Sequence, residues 1–215
     1  MKDRRVIGIT MGDPASIGPE ITVKALARKD VYDKCRPIVI GDASVMEAAV
    51  KIVGQENIKI HPVQKIEDAC FQQGVIDVYD MKLVDMEKLE YGKVSEMAGE
   101  AAFQYVKKVI ELALDGQVDG TVTNALNKEA INLAGHHYSG HTEIYAELTR
   151  TKKYTMMLAH ENLRVVHVST HVSLREACDR VKKDRIIEVI RIANQACKDL
   201  GIETPKIGVA GLNPH

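Results

Sequence analysis

The 215-residue sequence lacks any apolar run approaching the ~20 residues that a membrane span requires. It also lacks a charged-then-apolar leader at Met1, so the expectation is a protein neither membrane-inserted nor secreted. Charge of one sign is not in excess: 29 lysines and arginines stand against 30 acids, a formal net charge of -1. The densest basic group, Arg180-Val181-Lys182-Lys183 with Arg185, reads as the solvated start of a helix. No nucleic-acid partner is expected. The cysteines Cys35, Cys70, Cys178 and Cys197 form no CxxC pair. That argues against a structural zinc site and a disulfide framework, and for a reducing cytoplasm. Cys178 and Cys197 fall in helix-spaced apolar stretches, where a cysteine is ordinarily a small core residue. Internal repeats and low-complexity tracts are missing too.

What is present is a repeated alternation. The β-branched run Arg5 to Thr10 breaks into a loop, Met11 to Glu20, in which Pro19 suits a first helical turn and Ile21, Val23 and Leu26 follow at helical intervals. A strand (Pro37–Gly41) and a helix (Ser44–Val53) repeat the pattern, and shorter strands are expected at Ile58–His61 and Val75–Tyr79. Further along come a long helix from Gly92 to about Asp115, a strand at Asp119–Thr123, and helices at Asn127–Ala134 and His141–Leu148. Tyr154–His160 and Leu163–Thr170, split by Glu161-Asn162, read as a hairpin. A helix at Asp184–Leu200 and a strand at Lys206–Gly211 complete the pattern. The class is α/β with a mostly parallel sheet. The chain stops in the exit loop of an apolar strand, and the expectation is a fragment.

The loop Gly12-Asp13-Pro14-Ala15-Ser16-Ile17-Gly18-Pro19-Glu20 lies where α/β sheets place ligands, but it has neither GxGxxG nor a Walker lysine. A tight turn explains it as well as a functional loop does. Seven of the eight histidines fall in the second half: His136, His137, His141, His160, His167, His171 and His215. None shows HExxH spacing, so a metal site would be assembled only by folding. His167, inside Val165-Val166-His167-Val168, reads as a strand histidine. His171 and His215 lie just past strand ends, where catalytic side chains concentrate. Gly140-His141-Thr142-Glu143 reads as a glycine loop entering a helix, suited to a phosphate or carboxylate or else an ordinary cap. Lys128 would meet the same anion, or is a solvated first-turn lysine.

Taken in order, five stretches resemble the 4-hydroxythreonine-4-phosphate dehydrogenase family: Gly12 to Glu20, Thr123 to Lys128, Gly140 to Glu143, Ser169 to Arg175, and Gly211 to His215. The resemblance implies a fold like isocitrate and isopropylmalate dehydrogenases, with α/β/α layers in two domains, here 1–124 and 125–215, both incomplete without a further C-terminal segment. It implies a homodimer with shared active sites, NAD as cofactor, and a divalent metal (zinc, magnesium, manganese or cobalt) held by three histidines. His171 and His215 match the first two ligands, and the third is expected beyond residue 215. His141 and Thr142 match substrate-binding positions, with Lys128 beside them. No NAD-binding or proton-transfer residue is assigned.

Ser16 stands where the family commonly has glycine, and Thr123-Asn124-Ala125 departs from its usual threonine-alanine-proline. With His136-His137-Tyr138-Ser139 and Tyr154 to His160, these features resemble the branch acting on D-threonate or D-erythronate 4-phosphate. The implied reaction is oxidation and decarboxylation to dihydroxyacetone phosphate. Two alternatives stay open: the biosynthetic 4-hydroxythreonine-4-phosphate dehydrogenase, and a non-catalytic sugar-phosphate binding protein.

Overall fold

The first β-branched run forms β1 (Val6–Thr10), the strand around which the larger sheet is built. A computed structural model describes residues 4–213. In it β1 pairs in parallel with β2 (Arg36–Gly41) on one side and β5 (Gly120–Thr123) on the other. β4 (Val75–Asp80) lies beyond β2, and β3 (Lys59–Val63) forms the edge, giving the all-parallel order β3-β4-β2-β1-β5. Ile38, Val39 and Ile40 on β2 are all fully buried, so both faces of the sheet are covered, as a parallel sheet requires. Each contributes about 1.5–3 kcal/mol as an upper figure.

The helices follow from capping and spacing. α1 (Gly18–Leu26) has proline in its first turn, α2 is Lys29–Lys34, and α3 (Ala43–Val53) ends on Gly54 at φ 70°. α4 (Glu96–Leu114) starts at Ser95, whose hydroxyl accepts the Ala98 N–H; the helix therefore begins four residues after the expected Gly92. It packs on β1, β2 and β5, with α5 (Lys128–Leu133) and α6 (His141–Leu148) beside it. Contact between α4 and α5 is so close that a Cβ on Gly99 would lie 2.0 Å from the Ala130 carbonyl oxygen.

The chain divides into two compact units between Thr149 and Arg150. Residues 125–149, placed with the second domain from the sequence, pack in the first unit, where Ala130, Ile131 and Ile144 are fully buried. The second unit holds β6 (Met157–His160) and β7 (Leu163–Val166), an antiparallel hairpin whose glycine-free turn is made by Glu161 at φ 46°. α7 (Leu174–Arg180) and α8 (Lys183–Asp199) follow.

Four expectations need correction. Lys206–Gly211 forms no strand, because an isolated apolar run has no ladder to join; Ile207 and Val209 are exposed. β7 ends at Val166, so His167 lies past the strand. The Arg180–Lys183 run joins two helices, with α7 capped by the Ser173 hydroxyl. Cys178, on α7, is exposed.

Candidate active site

Two loops meet at the carboxyl ends of adjacent strands β1 and β5. Gly12, at φ 80°, lets the chain pass so close to the second loop that a Cβ there would lie 2.7 Å from the Ala125 carbonyl oxygen. The Asp13 N–H donates to that oxygen at 3.1 Å. Asn124 makes the joint: its backbone N–H donates to Thr10 Oγ1 at 3.2 Å, and its Nδ2 to the Thr10 carbonyl at 2.9 Å and Thr22 Oγ1 at 2.7 Å. Asp13 is buried, and burial raises its carboxyl above the ordinary range against the opposing 2.8 Å bond from the Ala15 N–H.

α6 brings His141 to the same joint, with Thr142 next to it in the first turn of the helix. The helix is anchored by buried Ile144 and by the Tyr145 hydroxyl, which donates to Thr121 Oγ1 on β5 at 2.9 Å. The loop before it is pinned to α4, where His136 lies 2.6 Å from Glu100 and stacks on Phe103 at 3.6 Å between ring centroids. Burial lowers the pKa of His141, opposed by a hydrogen bond from the ring to the Asn124 backbone. Nε2 is buried with no hydrogen-bond partner among the described residues. A neutral imidazole can present an unpartnered ring nitrogen as an acceptor. Gly140 caps α6 without a side chain, leaving its first-turn N–H groups without a side-chain cap.

Lys128 is exposed at the first position of α5, whose N-terminus is already capped by Asn127 Oδ1 accepting from the Ala130 N–H. His171, in the second unit, is exposed in the loop between β7 and α7 and holds φ 54°. Left-handed backbone at a bulky residue costs of order 1–3 kcal/mol and concentrates at functional sites. His215 lies outside the described residues. Thus His141, Thr142 and Lys128 stand in the first unit and His171 in the second. The sequence marked Asn124 only as a departure from the family pattern and not as a site residue; its other signal was a polar residue directly after a strand, where α/β ligands bind.

Polar loops gathered at the carboxyl ends of parallel strands, next to a helix N-terminus, define an α/β protein of the small-ligand-binding kind. Among the described residues no helix is long and apolar enough to cross a membrane. The chain belongs to the family of the pyridoxal phosphate biosynthetic protein PdxA, whose family model matches residues 33–215. It is 45% identical over 212 residues to the "Putative D-threonate 4-phosphate dehydrogenase" of Fusobacterium nucleatum, covering 99% of this chain and 63% of that protein. It is also 45% identical over 215 residues to the protein of the same name from Symbiobacterium thermophilum, covering 64% of it. A crystal structure of a 4-hydroxythreonine-4-phosphate dehydrogenase from Burkholderia phymatum superposes with a TM-score of 0.89 at 44% identity, over 99% of this chain and 64% of that one. The chain thus spans less than two thirds of the length of these relatives.

Proposed function

We propose that the protein is an NAD-dependent, divalent-metal-assisted dehydrogenase that converts 4-phospho-D-threonate or 4-phospho-D-erythronate to dihydroxyacetone phosphate and CO2. The observation that carries this reading is the unsatisfied, buried Nε2 of His141 beside Thr142, at the start of α6. An unpaired buried nitrogen costs about 1–3 kcal/mol, which a substrate hydroxyl donating to it would recover. The names of the relatives at 45% identity support the choice of substrate.

In the reaction, C3 loses a hydride and its hydroxyl a proton, leaving a ketone; the C1–C2 bond then breaks, CO2 departs and C2 takes up a proton. NAD and a divalent cation, when bound, supply the hydride acceptor and a Lewis acid. His171 fits the cation by its chemistry: it is an exposed imidazole on a constrained loop, and His215 would be its companion ligand. His141 Nε2 accepts from a substrate hydroxyl, while the Thr142 hydroxyl and the first-turn N–H groups of α6 donate to its anionic oxygens. The exposed Lys128 adds positive charge. Together these contacts fix the substrate's orientation. Two domains in the full-length protein, homodimerisation and a cytoplasmic location belong to the same proposal.

The test is NADH formation by the full-length protein on the two phosphorylated sugar acids and on 4-hydroxythreonine 4-phosphate. The proposal expects the highest kcat/KM on a sugar acid. The biosynthetic dehydrogenase is the second reading, favoured by the family description and by the name of the Burkholderia structure. A preference for the amino substrate would establish it. Binding of NAD and metal without NADH from any of the three would overturn both.

A further inference from the structure

At the opposite edge of the sheet from β5, the β3–β4 register sets His61 directly beside Asp77. The Asp77 side chain is fully buried, and its carboxylate is held by two successive backbone donors. The Cys70 N–H reaches Oδ1 at 2.9 Å and the Phe71 N–H reaches Oδ2 at 2.8 Å. His61 Nδ1 lies 2.8 Å from Oδ1, and Cys70 Sγ lies 3.4 Å from the same Nδ1. All three donor atoms fall within 4.8 Å of one another. Because thiol and carboxylate address one ring nitrogen, a nucleophile-base-orienter relay is excluded, which would need both nitrogens. The three donor atoms are instead close enough together to share one ion.

We propose that His61, Cys70 and Asp77 form a zinc site, its fourth position open to water or an external ligand. Around tetrahedral zinc, bonds of about 2.3 Å to sulfur and 2.0–2.2 Å to nitrogen and oxygen put N and O about 3.3 Å apart and S and N about 3.6 Å apart. The cluster reaches this by opening roughly 0.5 Å and 0.2 Å respectively. Thiolate with imidazole selects zinc over magnesium or calcium. The paired backbone donors pre-orient the carboxylate as an outer shell does. Binding sends the Cys70 thiol proton to solvent and leaves the His61 ring proton on Nε2. Cys70 is exposed and His61 half-buried, so an ion has access. The site cross-links the 64–74 segment to two strands and does not depend on the proposed dehydrogenase activity.

The test strips the full-length protein with chelator and titrates it with cobalt(II), a spectroscopic stand-in for zinc. A thiolate-to-cobalt charge-transfer band should appear and be displaced by zinc. It should be absent from Cys70→Ser and need at least about tenfold more cobalt in His61→Gln. His171→Ala should keep it, since the histidine site of the proposed dehydrogenase carries no thiolate. Far-ultraviolet circular dichroism checks that the variants are folded, which the exposure of Cys70 favours. No band at saturating cobalt, a band that survives Cys70→Ser, or one lost in His171→Ala would overturn the site.

Discussion

Gly99→Ala sets two local effects against each other. Inside a helix, alanine is favoured over glycine by about 1 kcal/mol, so propensity alone predicts a more stable protein. The added Cβ would, however, lie 2.0 Å from the Ala130 carbonyl oxygen, 2.2 Å from its carbon and 2.7 Å from the Ile131 nitrogen. These are backbone atoms, which no rotamer change can move aside. Non-bonded contacts settle at about 3.5–4.0 Å, so α5 must retreat by roughly 1.5–2 Å. Ala130 and Ile131 are fully buried, and the retreat loosens their packing. Overpacking costs about 1–3 kcal/mol, to which the lost burial of Ile131 adds about 1 kcal/mol more. The clash wins, with a net loss of about 1–3 kcal/mol. Urea unfolding should show a lower midpoint at unchanged slope. Gly54→Ala is the control: nothing lies within 4 Å, and the cost comes only from φ 70°. A Gly99→Ala protein as stable as the parent, or more so, would refute the reasoning.

Tyr105→Phe removes a fully buried hydroxyl that donates to Asp42 at 3.0 Å, leaving that buried carboxylate one donor short. Thermal unfolding should register a loss of about 1–3 kcal/mol; an unchanged midpoint would contradict it. His171→Ala in the full-length protein should lose one of two bound divalent-metal equivalents, the one not held by Cys70, and nearly all NADH formation; two equivalents retained by elemental analysis would remove His171 from the ligand set. His141 gives a pH test: burial holds its folded pKa below the ordinary 6.5, so below 6.5 the unfolded chain binds the extra proton and stability falls as pH falls. Urea midpoints should decline from about pH 7.5 to about pH 5.5 less steeply in His141→Asn than in the parent; equal slopes would show that the ring does not couple to folding.

The alternation of strands and helices was legible because each element carries its own period. β1, β2, α3 and α6 appear within about a residue or two of their expected bounds, and the parallel order follows from that alternation. The failures are elements whose existence depends on partners or short caps. Lys206–Gly211 has strand composition but no ladder among the described residues. α7 is capped by Ser173 with Glu176 three residues on, a capping-box spacing that a seven-residue helix makes easy to overlook. At the site, His141 and Thr142 were visible as a glycine loop entering a helix. Asn124 was not, because its partners Thr10 and Thr22 are 114 and 102 residues away.

A buried imidazole nitrogen without a partner is not by itself a ligand site. His167 Nδ1 is equally buried and equally unsatisfied, just past the end of β7. Three things separate His141 from it. The ring lies against the Asn124 backbone, whose polar group opposes the effect of burial on its pKa. Asn124 itself is held by three hydrogen bonds that join the two strand-end loops, so the ring's support is rigid. Finally, the nitrogen belongs to the first turn of a helix whose N–H groups have no side-chain cap, so hydrogen-bond acceptors and donors for one small anionic, hydroxylated molecule occur together. A residue with no unsatisfied atom at this position would gain the fold about 1–3 kcal/mol; under the proposed function, a substrate hydroxyl recovers that cost.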